Sequence, residues 1–553
     1  MLNRAQQRKT TWSRALGSCG AAMVLAFTSM IGCGEAPQEV ATGRATPDDL
    51  VCTTPPPEGA YDFIVVGSGA GGGPVASRLA RAGCHVLLLE AGEDVGNRRQ
   101  YRVPAMHALS TEAAGMAWWF FVDHHTDEAV DEQDSKYTEQ GILYPRGSAL
   151  GGSTAVNALV TVLPSPSDWN RLAAITGDEG WRASKMDAYY DRVQEWLSIE
   201  LPDPSLAMGD ASIVRYLVAA ANTYAEESAL GSSIDPNDII ETASELGRLL
   251  QQDLNASLRH TETTGMFRLP LATKDGERNG TRELIVDTVT EGYPLTVKTG
   301  AFVTRVLFDT TSGEPRANGV EWVAGKDVYQ ASLQPGAPGD ATIEGAAREV
   351  ILSAGAFNSP QLLMLSGIGD ARHLAEVGVQ PLVDRPGVGL NLQDRYEVAV
   401  VTELDAPLSV VESCTLTGDW NTDPCADQWQ KGSGVYETSG FLASFLRRSS
   451  PDVALADLQV FATPSDARGY YPGYAADAVA DPRRFSWLIL KGHTENTDGY
   501  VRLRSGDPLQ PPTIQFSYYD ENDPLADPDL QAVVEGVKFV RSIEDRMGSE
   551  FAY

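Results

Sequence analysis

Positive charge is scarce in this sequence. Lys and Arg number 43 against 75 Asp and Glu, for a formal net charge of -32 over 553 residues. A chain that grips nucleic acid needs a basic surface to meet the phosphates, so that class of partner is excluded. The acidic excess is diffuse, with no long acidic tail, and reads as a solvated surface. Histidine and cysteine are few, 7 and 6. No C-x-x-C pair or His/Cys cluster occurs, so no metal site is expected, and the adjacent His124 and His125 read as solvated loop residues. What is plentiful is ordinary: 42% hydrophobic and 21% charged residues, in a chain long enough for two or more domains around a large core.

The first 33 residues stand apart. Arg4, Arg8, Lys9 and Arg14 form a basic region without acids, followed by the small, apolar stretch Ala15 to Ile31. This is a signal-peptide pattern, too short and too interrupted by Gly and Ser for a spanning helix. It ends Ser29-Met30-Ile31-Gly32-Cys33, which resembles the lipobox of bacterial lipoproteins. Cys33 is then the lipidated first residue of an exported chain held at the cell envelope, periplasmic or outer membrane, by its lipid alone. Simple secretion is the alternative. Residues 34–59 are polar and Pro-rich, ending in Pro55-Pro56-Pro57, and read as a tether. Cys84, where a strand begins, reads as a buried thiol. Cys414 and Cys425 bracket a short polar loop that a disulfide closes in an oxidising compartment.

The chain is organised around Tyr61 to Gly92. Phe63 to Val66 is an apolar, β-branched run of strand length. Gly67, Gly69 and Gly72 follow in G-x-G-x-x-G spacing, with Ser68 between the first two. Val75 to Ala82 reads as a helix with small inward residues, and Val86 to Leu89 as a second strand ending at Glu90 and Ala91. Gly67 makes the tight turn, Gly69 lets backbone approach a pyrophosphate, and Gly72 lets helix pack on strand. The helix N-terminus presents free N–H groups to the phosphates. Glu90 stands where an acid hydrogen-bonds a ribose hydroxyl, which favours NAD or FAD over NADP.

Further along, Gly147-Ser148-Ala149-Leu150-Gly151-Gly152-Ser153-Thr154-Ala155-Val156-Asn157 precedes Pro164, Asp168 and Trp169. A second segment runs from Glu349-Val350-Ile351-Leu352-Ser353-Ala354 through Gly355-Ala356-Phe357-Asn358-Ser359-Pro360 to Ser366-Gly367-Ile368-Gly369. Gly387-Val388-Gly389 with Asn391-Leu392-Gln393-Asp394, and Gly499-Tyr500-Val501-Arg502-Leu503, complete the set. Together these resemble the glucose–methanol–choline (GMC) family of flavin-dependent oxidoreductases, from about Tyr61 to about Ile543. The resemblance implies non-covalent FAD. Its pyrophosphate would lie on Gly67–Gly72, its ribose on Glu90, its isoalloxazine along Gly147 to Val160 and its adenine at the Val303 backbone. Members with covalent flavin carry a His where this chain has Val156. Ser148 replaces the basic or Asn residue usual after the first glycine, and Arg395 replaces a His common after the Leu-Gln-Asp run.

The same matches imply an α/β and α+β architecture. A discontinuous Rossmann-like FAD domain, 59–164 and 275–394, is joined to a substrate domain, 165–274 and 395–517, with a large, mostly antiparallel sheet and a helical cap. Tyr396 to Leu404, Trp487 to Lys491 and Tyr500 to Leu503 are the expected strands of that sheet. Asp529 to Ile543, within 518–553, is the expected amphipathic helix returning to the FAD domain. Trp118 to Phe121 reads as packing. Oxidation of an alcohol needs a base for the hydroxyl proton. The family's His pair is expected beyond Tyr553, so this chain is expected to be incomplete for catalysis, with His493 the candidate present. The two readings are an FAD-dependent alcohol oxidase or dehydrogenase, using oxygen or a quinone or redox protein as acceptor, and a lipid-tethered FAD-binding protein without turnover.

Overall fold

A computed structural model of the chain describes residues 52, 56–57, 59–228, 234–235, 239–252, 254–255, 264–519, 523 and 525–550. The leader, Cys33, most of the tether, His260 and the last residues to Tyr553 lie outside them.

The first apolar run folds as the strand Ala60–Val66, its last five residues buried. It is central in a six-stranded sheet. Parallel neighbours are Val86–Leu89, then Leu295–Lys298, on one side, and Ala341–Leu352 on the other. Beyond the last, Arg316–Ala324 and Ala301–Asp309 continue the sheet antiparallel. The helix Gly72–Arg81 covers one face, and Gly72, Gly73, Ala76, Ser77 and Ala80 are buried on that side. Small residues there bring helix and sheet close.

The second sheet is antiparallel throughout. Its order is Glu397–Glu403, Arg484–Lys491, Leu458–Thr463, Ala443–Arg447 and Gly265–Phe267. Alternation along the strands divides its faces. Phe485, Trp487 and Ile489, with Leu458, Val460 and Ala462, pack under the helices Ala211–Glu227 and Pro528–Glu550. Leu488 and Leu490, with Gln459, Phe461 and Thr463, turn to the opposite face and line a cavity.

Several expectations are corrected. The helix expected to return to the FAD domain lies on the antiparallel sheet instead. Ala532, Phe539, Val540, Ile543 and Met547 are buried there against Phe445, Phe485 and Trp487. A Cβ at Gly536 would overlap Ile489, so glycine sets how closely this helix seats. Amphipathicity revealed a helix but could not name its partner. Gly499–Arg502 joins Leu390–Leu392 and Thr513–Gln515 in a separate three-stranded sheet rather than the large one. Cys84 is not a free thiol: it is disulfide-bonded to Cys52. A partner in the Pro-rich tether carries no periodicity to reveal it. Cys414 and Cys425 are joined as well. His124 is not a solvated loop residue, since its ring stacks on Tyr518 with centroids 4.3 Å apart.

Candidate cofactor and substrate site

The glycine loop forms one lip of a cavity of about 470 Å³. Added Cβ atoms show what each glycine does. Gly67 has φ +93, and a Cβ there would lie 2.5 Å from the Ser353 carbonyl oxygen. At Gly72 a Cβ would overlap the Gly67 carbonyl oxygen. Protein fills the space at both positions. At Gly69 the nearest atom is Gly152 Cα at 3.7 Å, in ordinary contact. Gly69 is therefore bare toward the cavity, as a backbone must be where a ligand comes close.

Glu90 sits under this loop, 5% exposed. One carboxylate oxygen accepts from the Ser68 backbone N–H at 2.9 Å and from the Ser68 hydroxyl at 2.5 Å, and the other accepts from Gly92 N–H at 2.9 Å. Burial raises its pKa, while the bonds from Ser68 and Gly92 oppose the rise. The Ser68 oxygen also accepts from Gly151 N–H at 2.9 Å, so one hydroxyl ties the two glycine segments together.

Of the residues expected at the cofactor, Gly67, Ser68, Gly69, Glu90, Ala91, Gly147, Gly152, Asn157 and Val303 line this cavity. Gly72, Ser148 and Gly151 do not. Gly72 and Gly151 support the loop from behind, and the buried Ser148 hydroxyl has no partner among the described residues. Val160 lines the neighbouring cavity instead. Trp118, read as packing, is on the cradle wall and also lies edge-on to Tyr329 at 5.0 Å.

That neighbouring cavity, about 660 Å³, meets the cradle at Arg146, Ser153 and Asn157. Its floor is the antiparallel sheet. Asn157 is held from behind by Arg278, 4% exposed, whose guanidinium donates to the Asn157 side chain at 2.7 Å, to its carbonyl at 2.8 Å and to Thr154 carbonyl at 3.0 Å. Burial lowers this arginine to about 10, only partly opposed by Tyr101 and the Glu283 carboxylate. Two titratable groups that sequence reasoning passed over face this cavity. His107 Nε2 is 3.2 Å from the Ser439 carbonyl oxygen. Burial first, and the Arg278 charge second, lower the imidazole to about 4, so it is neutral at pH 7, with Nε2–H donating and Nδ1 left as acceptor. Glu397 opens onto the cavity and accepts no hydrogen bond among the described residues. Glu397 is itself exposed to the cavity; desolvation by the protein packed around that opening, then repulsion from Asp394, pushes it up to about 7. Arg278 and Glu397 lie outside the glycine-rich motifs, and no local pattern marked His107.

His493, the candidate base, lies elsewhere. It pairs with Asp168 at 2.6 Å in the wall of a third cavity of about 340 Å³.

The GMC oxidoreductase family matches residues 61–397. The chain belongs to the GMC oxidoreductase family. It is 28% identical to an oxygen-dependent choline dehydrogenase of Rhizobium meliloti (strain 1021), over 83% of this chain and 73% of that one. It is 28% identical to the mitochondrial choline dehydrogenase of Mus musculus, over 84% and 71%. Among solved structures, a formate oxidase superposes with TM-score 0.66 at 18% identity, covering 88% of this chain and 81% of that one. A fungal aryl-alcohol oxidase superposes with TM-score 0.59 at 19% identity, covering 89% and 84%. These structures show the shared fold: a parallel Rossmann-like sheet beside an antiparallel one. The chain is an FAD-dependent oxidoreductase of a family acting on CH–OH donors, and the bare Gly69 edge of the cradle fits a dinucleotide.

Proposed function

We propose that this chain oxidises an alcohol held in the larger cavity, next to FAD in the cradle. Gly67, Gly69, Gly147 and Gly152 hold the cofactor, with Ala91 and Val303 on the adenosine side and Glu90 at the ribose. Binding is non-covalent, because Val156 offers no group to attach a flavin. When bound, FAD supplies the hydride acceptor. The residues of the larger cavity orient the alcohol and exclude water, and a base takes the hydroxyl proton. His107 in this cavity and His493 in the next are the neighbouring imidazoles.

The observation that carries the reading is the junction at Arg146, Ser153 and Asn157, where a small molecule on the antiparallel sheet meets the edge of the cradle. The choline dehydrogenase relatives are named for oxidation of an alcohol, which supports the same reaction type here. Oxygen or a quinone takes the electrons onward. The chain works outside the cytoplasm, lipid-anchored at Cys33. The two disulfides support an oxidising compartment.

The test is anaerobic. The chain is loaded with FAD and mixed with primary and secondary alcohols, and absorbance near the flavin maximum is followed. Bleaching by an alcohol supports the reading. No bleaching by any alcohol, with FAD still bound, leaves a flavin-binding protein without turnover.

A further inference from the structure

The cradle and the larger cavity share the side chains of Arg146, Ser153 and Asn157. Each acts there as a hydrogen-bond donor. A guanidinium has donors only. The Ser153 oxygen already accepts from Gly147 N–H at 3.1 Å, so its hydroxyl hydrogen is left to give. Asn157 carries a donor and an acceptor at the tip of one amide, and its surroundings decide which end faces the junction. One end meets the Arg278 guanidinium at 2.7 Å and Leu159 N–H at 3.3 Å. Both groups can only donate, so that end is the carbonyl oxygen Oδ1. Arg278 is 4% exposed and lines neither cavity, so Oδ1 is turned away from them. Nδ2 is left for the exposed side, with no partner among the described residues. A flipped amide would set Nδ2 against the guanidinium, donor against donor. Arg278 is itself fixed: its Nε–H donates to the Tyr101 carbonyl at 3.0 Å, and its other nitrogens donate to the Thr154 and Asn157 carbonyls. Among the described residues the two cavities share no acid. Glu397, Glu412 and Asp481 line the larger cavity and not the cradle, and Glu90 in the cradle is engaged with Ser68 and Gly92.

We infer that Arg278 is a positioning residue: by holding Oδ1 it presents Asn157 Nδ2–H to the flavin ring of bound FAD, as a donor to the negative charge that the ring takes up on reduction. This rests on the reading above that FAD occupies the cradle with its reacting end at the junction. Hydride transfer moves two electrons and one hydrogen from the alcohol carbon to the ring, the hydroxyl proton goes to a base, and the ring is left one charge more negative. Donors fixed before that charge forms stabilise it without the reorientation that water would need. The buried Arg278 charge behind the amide acts in the same direction.

The test needs no alcohol. Sulfite adds to an oxidised flavin ring and leaves it negatively charged, so its affinity, read by bleaching of the FAD-loaded chain, reports the donors at the ring. Wild type, R278M, N157A and the double variant R278M/N157A form a cycle. Loss of one hydrogen bond to a charged group predicts that R278M and N157A each weaken sulfite about ten- to a hundredfold. Because Arg278 acts through Asn157, the double variant should bind sulfite no more weakly than the weaker of the two single variants. R278K, a buried cation without the fork, should fall between R278M and wild type. FAD content and the thermal midpoint report whether each variant is folded, and R278K takes the place of R278M in the cycle where R278M is not. Unchanged sulfite affinity in either single variant overturns the inference, as does a wild type that takes up no sulfite. Losses that multiply in the double variant overturn it too, since they mark two independent effects. An affinity for sulfite that depends on both residues, together with no bleaching by primary or secondary alcohols, keeps the donor at the ring and overturns the alcohol-oxidising reading.

Discussion

Replacing Gly69 by valine should separate cofactor binding from folding, because the structure gives the two glycines that follow the turn different reasons to be glycine. A Cβ at Gly69 meets only Gly152 Cα, at 3.7 Å, and the position does not require positive φ. The FAD-free chain should therefore lose no more than about 1 kcal/mol, the scale of a substitution that creates neither a cavity nor a clash. The same substitution fills the bare edge of the cradle. FAD at about a hundred times its Kd stabilises wild type by about 2.7 kcal/mol, and a hundredfold loss of affinity removes most of that. At Gly72 an added Cβ overlaps the Gly67 carbonyl oxygen, so Gly72→Ala should destabilise the FAD-free chain by about 1–3 kcal/mol or more. The assay is thermal unfolding of wild type, Gly69→Val and Gly72→Ala over an FAD titration. Wild type should rise by a few degrees with FAD. Gly69→Val should begin near the wild-type value and fail to rise. Gly72→Ala should begin low. If Gly69→Val rises with FAD as wild type does, a ligand does not approach at Gly69 and the assignment of the cradle is wrong.

Glu397→Gln should alter the pH dependence of stability in one direction. Burial raises this carboxyl from its usual 4.5 to about 7, so between those values the folded chain keeps a proton that the unfolded chain releases. The cost to wild type is absent below about pH 4.5, grows as pH rises and levels off above about 7. Denaturation midpoints of wild type and Glu397→Gln should then converge in acid and separate in favour of the variant above pH 7; parallel curves would show that the carboxyl ionises freely. Replacing Cys414 and Cys425 together by serine should cost about 2–4 kcal/mol and, because Cys414 and Leu416 are in the cavity wall, raise KM more than it lowers kcat. Equal kcat and KM for the alcohol would mean that the loop does not shape the cavity. Cys33→Ser should move the chain from the membrane fraction to the soluble exported fraction, and unchanged partitioning would argue against the lipid.

Local chemistry made the cradle legible. Gly67, Gly69 and Gly72 have roles fixed by backbone geometry within six residues, and the strands around them show the apolar runs that burial on both faces demands. Tyr396 to Leu404 and Trp487 to Lys491 likewise read as strands of the large sheet, where Glu397–Glu403 and Arg484–Lys491 are paired. What could not be read was pairing at a distance. Cys84 looks like any small core residue until Cys52 reaches it from the tether. The apolar stripe of Pro528–Glu550 fits any apolar face, and only the packing at Phe445 and Trp487 shows which one it takes. Arg278 ends the short strand Glu277–Arg278 with no motif around it, and its value lies wholly in reaching Asn157, more than a hundred residues earlier. Glu397 and His107 have no distinctive neighbours in sequence. Their altered acidities come from burial by segments that the chain brings together later.

The discontinuity of the cofactor domain follows from these same contacts. The segment Gly147–Val160 is held on one side by Ser68, whose hydroxyl oxygen meets Gly151 N–H, and on the other by Arg278, which grips Thr154 and Asn157. Ser68 belongs to the first part of the parallel-sheet domain and Arg278 to the second. Between them the chain leaves to build the first helices of the substrate domain, and it leaves again after Asp394 to build most of the antiparallel sheet. Each departure begins beside the cavities: Leu159, held at φ +63, precedes the first, and Arg395 opens the second. The substrate sheet is thus attached at the junctions where the cavities meet. Hydrogen bonds from the buried Arg278 fix Asn157 at the first junction before any ligand arrives, which is the preorganisation that a reacting carbon beside a cofactor edge requires.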